Sequence, residues 1–157
     1  MEIDAGGLAS ALAHLAENIT ARYRVPCFFS SKEHVAVSDQ RVATQVYRIA
    51  QEAAANAATH AKARKIEIVL RSRGDLLTLE VVDDGVGFSG LPKPGKGLGL
   101  RIMRDGAALI AATLTIEAGK PTGTRIICTV PSTTASRPKG ARKGSSLRRS
   151  APGGFTP

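Results

Sequence analysis

Residues 81–90, VVDDGVGFSG, place two adjacent carboxylates between an apolar run and two closely spaced glycines. Asp83 and Asp84 could act in acid–base catalysis, bind a metal ion or accept hydrogen bonds from a ligand. Gly85 and Gly87 would allow another group to approach the backbone closely. A tight turn at the end of a strand explains the same residues. This segment alone therefore leaves catalysis, metal binding, phosphate binding and an ordinary turn open.

A second candidate pair, Glu52 and Asn56, lies in QRVATQVYRIAQEAAANAATH, residues 40–60, whose pattern predicts a helix. At about 100° per residue, Asn56 lies about 40° from Glu52, at the edge of the apolar arc. A carboxylate and an amide oxygen there could orient a water molecule and ligate a hard cation such as Mg²⁺. Taken alone, however, the pair favours a solvated helix face beside small alanines used for close packing.

The segment GLPKPGKG, residues 90–97, comes close to the phosphate-binding pattern GxxxxGK[ST]. That pattern needs a hydroxyl after the lysine to hold Mg²⁺ and backbone N–H groups to surround phosphate. Gly97 has no hydroxyl, and Pro92 and Pro94 each lack an N–H group. The sequence therefore excludes a P-loop.

Three alternating glycines, Gly95, Gly97 and Gly99, come just before an amphipathic helical pattern in GKGLGLRIM. Glycines permit close backbone approach, and the start of a helix offers free N–H groups with partial positive charge. The segment is thus a candidate phosphate seat, although a flexible turn has the same composition.

The elements that must position these residues follow from apolar periodicity. Three helices are predicted over residues 7–24, 40–60 and 98–111, the last weakened by Gly106. Two hairpins are predicted from KIEIVLRS with LLTLEVVDD and from ATLTIEAG with GTRIICTVP. The expected fold is α+β: a two-layer sandwich with helices on one face of a mixed, mostly antiparallel sheet. The separate hairpins argue against a doubly wound parallel sheet.

Length and composition fit one globular domain, since 43% of the 157 residues are apolar and 22% are charged. There is no run of about 18 uncharged apolar residues and no secretory-signal pattern, so no membrane segment is expected and a cytoplasmic location is predicted. Cys27 and Cys128 lack CxxC spacing and lie in apolar stretches. They are expected to be buried thiols rather than metal ligands or a disulfide.

The net charge of +9 comes mainly from the end of the chain. Residues 132–157 carry six basic residues and no acids, which leaves 9 − 6 = +3 for residues 1–131. This tail is rich in Ser, Pro and Gly, so it is expected to be disordered. Without interleaved aromatic residues, a solvated tail is favoured over nucleic-acid or acidic-lipid binding.

Taken in order, the three functional segments resemble the GHKL ATPases, which include sensor histidine kinases, the DNA gyrase B subunit, MutL and the heat-shock ninety chaperones. The N box is similar to YRIAQEAAANAATHAKA, the first glycine box to DDGVGF and the second to GKGLGLRIM. The last strand, GTRIICTVP, also resembles the closing strand of this family. The strongest resemblance is to the C-terminal ATP-binding domain of sensor histidine kinases of the nitrate-sensor type. It implies the Bergerat-type ATP-binding fold.

The resemblance assigns a role to each matching residue. Asp83 would accept a hydrogen bond from the adenine amino group, Asn56 would ligate Mg²⁺, and Glu52 would orient water or accept a proton. The other residues implied to contact ATP are His60, Gly85, Gly87, Lys96, Gly97, Leu98, Gly99 and Thr124. Residues 89–96 would form a short lid over the phosphates.

Two features depart from the family pattern. Thr59 stands where many relatives have a lysine, so one phosphate contact is missing unless Lys62 or Lys96 replaces it. None of the histidines (His14, His34 and His60) is followed by the acid that usually follows the family's acceptor histidine. Residues 1–24 are therefore predicted to be the end of an upstream helical dimerisation module or a first helix, residues 25–131 the ATP-binding domain and residues 132–157 the tail.

The predicted function is an ATP-binding phosphoryl donor for a histidine outside this chain. Its partners would be an acceptor-histidine dimerisation domain, in cis or in trans, and a response regulator. An anti-sigma-factor type serine kinase and a nucleotide-binding regulatory module without catalysis are the alternatives. The residue sequence of the N box favours the histidine-kinase branch. Thr59 and the lack of an acceptor-histidine pattern favour the regulatory module.

Overall fold

The chain forms three helices and five strands in the computed structural model, which describes residues 7–33, 35–87 and 97–131. Their bounds in chain order are α1 Leu8–Tyr23, β1 Cys27–Ser31, α2 Gln40–Thr59, β2 Ile66–Arg73, β3 Leu76–Asp83, α3 Leu98–Leu109, β4 Thr113–Ala118 and β5 Thr124–Pro131. The predicted helices and both predicted hairpins are present. Helix α3 ends two residues earlier than expected, before Ala111 adopts a left-handed φ of 52°.

The strands form one mixed sheet in the order β1-β2-β3-β5-β4. Strand β1 is parallel to β2, and every other pair is antiparallel. The predicted α+β architecture is therefore confirmed. The sequence analysis did not predict strand β1, because its apolar residues Cys27, Phe28 and Phe29 are consecutive and lack a period of two. Phe28 is also 55% exposed.

The helices cover one face of this sheet. The covered face consists of alternate residues from the three central strands, namely Ile66, Ile68, Leu70, Leu77, Leu79, Val81, Ile126, Cys128 and Val130. Helix α2 lies across these strands and buries the apolar arc predicted for it. Asp39 caps its N-terminus, and the Oδ1 atom of Asp39 accepts the N–H of Arg41 at 2.8 Å. This cap fixes the start of the helix that carries Glu52 and Asn56.

Helices α2 and α3 pack closely because α3 presents glycines to α2. A Cβ atom on Gly106 would lie 3.0 Å from Oε1 of Gln45 and 3.8 Å from Cγ1 of Ile49. Gly99, seven residues earlier, faces the opposite end of the same α2 surface. Gly106 therefore leaves room for the Gln45 side chain against α3, although glycine has a low helix propensity.

Helix α1 packs against α2 and β1 through Leu8, Leu12, Leu15 and Ile19, all of which are buried in the common core. Its assignment to the end of an upstream module or to a first helix stays a prediction. Residues 88–96, His34 and the tail from residue 132 lie outside the described residues, as do the predictions made for them. Within residues 7–33, 35–87 and 97–131, no helix is both long and apolar enough to cross a bilayer.

Candidate functional site

Glu52 and Asn56 project side by side from α2, one helical turn apart, and both are partly buried. Each side chain lies against Gly99 in the first turn of α3. A Cβ atom on Gly99 would be 2.8 Å from Nδ2 of Asn56 and 3.2 Å from Oε1 of Glu52. The two polar side chains and the second glycine segment, which are more than 40 residues apart in the chain, therefore meet at one place.

The first turn of α3 is an open, positively polarised helix end. Gly97 is the N-cap residue and provides no side-chain hydrogen bond, and the first turn contains no acid. The first N–H groups of a helix have no acceptor within the helix, so they are available to an anion. Leu98 is 70% exposed, which leaves this end of α3 accessible.

Asp83 ends β3, and its carboxylate is buried, with 7% of the residue exposed. Its Oδ1 accepts the N–H of Gly85 at 2.8 Å, and Thr124 stands opposite it on β5. Burial raises the pKa of Asp83, while the backbone N–H groups of Gly85 and Thr124 act in the opposite direction. A buried acceptor at the mouth of a loop is suited to recognising a donor group on a ligand.

Asp84 has a different environment from its neighbour. Its Oδ1 accepts the N–H of Arg64 at 2.8 Å and that of Lys65 at 2.9 Å. These two hydrogen bonds, that of Lys65 first, lower the pKa of Asp84. The Asp84 carboxylate thus holds the turn between α2 and β2. The sequence analysis did not identify that role.

The loop after β3 is also joined directly to the end of α2. Val86 donates its N–H to the carbonyl of Ala61 at 2.8 Å, and Ala61 in turn donates to the carbonyl of Asn56 at 3.3 Å. A Cβ on Gly85 would overlap that same Ala61 carbonyl. The close approach permitted by Gly85 is therefore to α2, and its expected approach to a nucleotide stays a prediction.

Gly87 and Gly123 form a second close contact beside Asp83. Both have positive φ values, 81° and 95°, and a Cβ on Gly87 would lie 3.1 Å from the Gly123 carbonyl. A Cβ on Gly123 would overlap the carbonyl of Asp83. Sequence reasoning missed Gly123, although its position just before the last strand was a usable signal, because glycine suits positive φ.

The remaining predicted residues lie at the edges of this arrangement. His60 is exposed, and its backbone N–H caps α2 by donating to Asn56 at 2.9 Å. Thr59, in the position expected for lysine, donates its hydroxyl to the Ala55 carbonyl at 2.7 Å. Lys62, the proposed substitute, is exposed with a φ of 52°. Lys96 lies outside the described residues.

A separate groove of about 570 Å³ lies between α1 and α2. Its lining includes Tyr23 on α1 and Tyr47, Gln51 and Ala55 on α2. These α2 residues occupy a different side of the helix from Asn56, so the groove is distinct from the polar site described above.

Comparisons with known proteins show the family of the chain and the solved structures that share its fold. The family model described as histidine kinase-, DNA gyrase B-, and HSP90-like ATPase matches residues 41–134. The histidine kinase domain of the Erythrobacter litoralis EL346 blue-light activated histidine kinase has a TM-score of 0.65 and 25% identity, over 82% of this chain and 64% of that chain.

Two further solved structures share the fold at lower identity. Full-length ShkA in complex with AMPPNP has a TM-score of 0.67 at 17% identity, over 83% of this chain and 30% of that chain. The ATP binding domain of PrrB from Mycobacterium tuberculosis has a TM-score of 0.62 at 18% identity, over 83% of this chain and 96% of that one. The chain thus spans less than two thirds of the blue-light kinase domain but nearly all of the isolated PrrB domain.

Proposed function

Because the chain belongs to the histidine kinase-, DNA gyrase B-, and HSP90-like ATPase family, we propose that it binds ATP and donates the γ-phosphoryl group to a histidine on a dimerisation domain. The observation that carries this proposal is the meeting of Asn56 and Glu52 with Gly99 at the uncapped start of α3. It places a carboxylate and an amide oxygen beside a helix end suited to phosphate.

The adenine would bind at the Asp83 end of the site. The Asp83 carboxylate accepts the Gly85 N–H through Oδ1, and its second oxygen would accept the adenine amino group. Thr124, opposite Asp83 on β5, would lie beside the ring. This arrangement favours a base that presents a donor, because a carboxylate in its ionised form can only accept hydrogen bonds.

The phosphates would bind at the first turn of α3. There the backbone N–H groups around Gly97, Leu98 and Gly99 face no capping side chain. Gly99 has no Cβ, and a Cβ would displace Asn56. Lys96 and His60 are proposed as additional phosphate contacts at the margin of the site.

The donor set fits Mg²⁺. Asn56 contributes an amide oxygen and Glu52 a carboxylate, and Mg²⁺ in proteins is commonly held by one or two such groups together with substrate phosphates. No three His, Cys, Asp or Glu residues cluster as a metal site within the described parts of the chain, so ATP would have to complete the coordination. When bound, the ion would neutralise charge that develops on the phosphates.

Glu52 is the proposed proton acceptor of the site. Its Oε1 atom lies beside the same Gly99 that Asn56 contacts, so the carboxylate would face the incoming imidazole and accept a proton or a hydrogen bond from it. Most of the rate enhancement would come from holding donor and acceptor in line.

The finer assignment is a kinase of the nitrate-sensor type acting in the cytoplasm with a response regulator as final phosphoryl acceptor. The sequence of residues 47–63, YRIAQEAAANAATHAKA, supports the histidine-kinase branch of this assignment. The acceptor histidine would be supplied by a dimerisation domain, because none of His14, His34 and His60 is followed by an acid.

Calorimetric titration with Mg-ATP, followed by incubation with γ-labelled ATP and a separately purified dimerisation domain, tests the proposal. We expect the chain to bind ATP, to form no phosphohistidine alone and to label the acceptor histidine in trans. Acid-labile, alkali-stable label on the isolated chain would contradict the assignment of the acceptor to another domain.

The same experiment separates the alternatives. Binding without transfer to any histidine domain would favour a nucleotide-binding regulatory module, for which Thr59 in place of lysine is the specific observation. Acid-stable label on a serine of a partner would favour an anti-sigma-factor type kinase. No binding of Mg-ATP would overturn the proposed function itself.

A further inference from the structure

Asp84 connects three segments that are separate in the sequence. Through Oδ1 it accepts the N–H groups of both Arg64 and Lys65, at 2.8 and 2.9 Å. Its own N–H donates to the Lys65 carbonyl at 3.4 Å. The hydroxyl of Thr122, in the turn before β5, donates to the Asp84 carbonyl at 3.3 Å. One exposed acid therefore joins the loop after β3 to the α2–β2 turn and to the β4–β5 turn.

This junction adjoins the proposed nucleotide site. Two residues after Asp84, Val86 donates to Ala61, and Ala61 donates to the carbonyl of Asn56. One residue before it, Asp83 contributes the buried carboxylate. Asp84 thus holds Asp83, the proposed adenine acceptor, in position relative to Asn56, the proposed metal ligand. In this proposal Asp84 itself contacts neither the adenine nor the metal ion.

We propose that Asp84 is a positioning residue for nucleotide binding, which holds the loop after β3 against the turn between α2 and β2 through the two backbone N–H groups that its Oδ1 accepts. The proposal rests on the proposed ATP site. The proposal assigns this role to the location of one acceptor atom, because both hydrogen bonds end on the same oxygen and an amide oxygen at that position could also accept them.

Three substitutions separate acceptor geometry from charge. Asp84→Asn removes the charge but keeps an oxygen at the Oδ1 position, so its affinity for Mg-ATP should stay within about twofold of the parent. Asp84→Glu keeps the charge but moves the oxygens by one methylene, and Asp84→Ala removes them. Both should weaken binding about tenfold, the factor expected if the loop holds its binding geometry about one tenth of the time.

Asp39→Ala is the matched control. Asp39 is also an aspartate whose Oδ1 accepts two backbone N–H groups, those of Arg41 and Val42, at 2.8 and 3.4 Å. It lies at the opposite end of the 20-residue helix α2, away from Asn56. The control should lower the Tm but leave the Kd for Mg-ATP unchanged when binding is measured well below the Tm.

Amide hydrogen exchange of Val86 gives a readout that does not depend on nucleotide. Its exchange should accelerate in Asp84→Glu and Asp84→Ala and stay slow in Asp84→Asn and Asp39→Ala, because only the first two release the loop. If Asp84→Ala does not fold, Asp84→Glu provides both measurements.

The outcomes are distinguishable. If the parent chain fails to bind Mg-ATP, the proposed function fails. If the parent binds but Asp84→Glu and Asp84→Ala bind as tightly as Asp39→Ala, Asp84 is only structural and this inference is wrong. If Asp84→Asn binds as weakly as Asp84→Ala, charge rather than acceptor geometry matters, which also overturns it.

Discussion

Asp83 and Asp84 show how two identical neighbours acquire different roles from their surroundings. The strand places Asp83 in the covered face of the sheet, where burial raises its pKa. Asp84, the first residue after β3, is exposed, and the Lys65 and Arg64 N–H groups lower its pKa. Two neighbouring carboxylates at the end of β3 thus differ in environment: Asp83 is buried, whereas Asp84 is an exposed acceptor of two backbone N–H groups.

Asp83→Asn should weaken Mg-ATP binding about tenfold or more, since loss of a buried acceptor leaves a ligand donor unpaired at about 1–3 kcal/mol. Asp84→Asn should bind nearly as the parent. Calorimetric titration of the two variants provides the comparison, and equal losses would contradict the assignment of Asp83 to adenine.

Although Asp83→Asn should weaken ATP binding, it should not lower the free energy of unfolding. A carboxyl whose folded-state pKa is raised disfavours folding when ionised, and this penalty disappears as the pH falls through the folded-state pKa. At pH 7, Asp83→Asn should therefore be at least as stable as the parent, with any advantage shrinking at lower pH. Urea unfolding across this range measures it, and a mutant that loses stability at pH 7 would argue against a desolvated carboxylate.

Asn56→Ala should abolish the enhancement of ATP binding by Mg²⁺ while leaving the fold intact. Asn56 is only partly buried and lies at the edge of the α2 face that packs on the sheet. Titrations with ATP in Mg²⁺ and in EDTA give the two affinities. An unchanged ratio between them would show that Asn56 is not a ligand.

Helices α2 and α3 bring the candidate phosphate seat at the start of α3 together with Glu52 and Asn56. The interface between α2 and α3 is narrow because two glycines, Gly99 and Gly106, face α2 from the same side of α3, two turns apart. Helices that pack this closely transmit the position of one backbone to the side chains of the other.

Gly99→Ala and Gly106→Ala provide a matched test of the α2–α3 interface. The new methyl group at residue 99 would meet Asn56 at 2.8 Å and Glu52 at 3.2 Å, whereas at residue 106 it would meet only the flexible end of Gln45, at 3.0 Å, at close range. We expect Gly99→Ala to weaken Mg-ATP binding about tenfold and Gly106→Ala to leave it unchanged, with up to about 1 kcal/mol gained in helix propensity. Equal binding by both variants would contradict the placement of the phosphates at Gly99.

The whole domain depends on one core shared by the helix layer and the covered face of the sheet. Cys27 and Cys128 lie at different depths in this core, because β1 is an edge strand and β5 lies between β3 and β4. Both thiols are free and buried, as the sequence predicted, and burial raises the pKa of each to about 11.

Thiol reagents should therefore react slowly with the native protein at pH 8 and rapidly after unfolding in urea. Cys27, on the edge strand, should react faster than Cys128, which needs global opening. Cys27→Ser and Cys128→Ser assign the two rates. Immediate reaction of both thiols without denaturant would contradict the burial of both residues.

Local patterns in the sequence were sufficient to predict the helices, both hairpins and the motif residues. Periodicity and glycine-marked turns act within about one turn of helix or one strand pair, so residues 40–60 reveal α2 with Glu52 and Asn56 on one edge. Strand β1 lacked such a pattern. Its place follows from parallel pairing with β2, which starts 39 residues further along the chain, at Ile66 against Cys27.

The contacts that create the site join residues distant in sequence. Gly99 against Asn56, Asp84 with Arg64 and Lys65, and Gly123 against Asp83 all depend on how the helix layer settles on the sheet. No local pattern encodes such contacts, because their geometry results from packing many side chains at once. The sequence thus predicted which residues could do chemistry, and the packed fold determined that Asp83 is the buried acceptor while Asp84 holds the turn behind it.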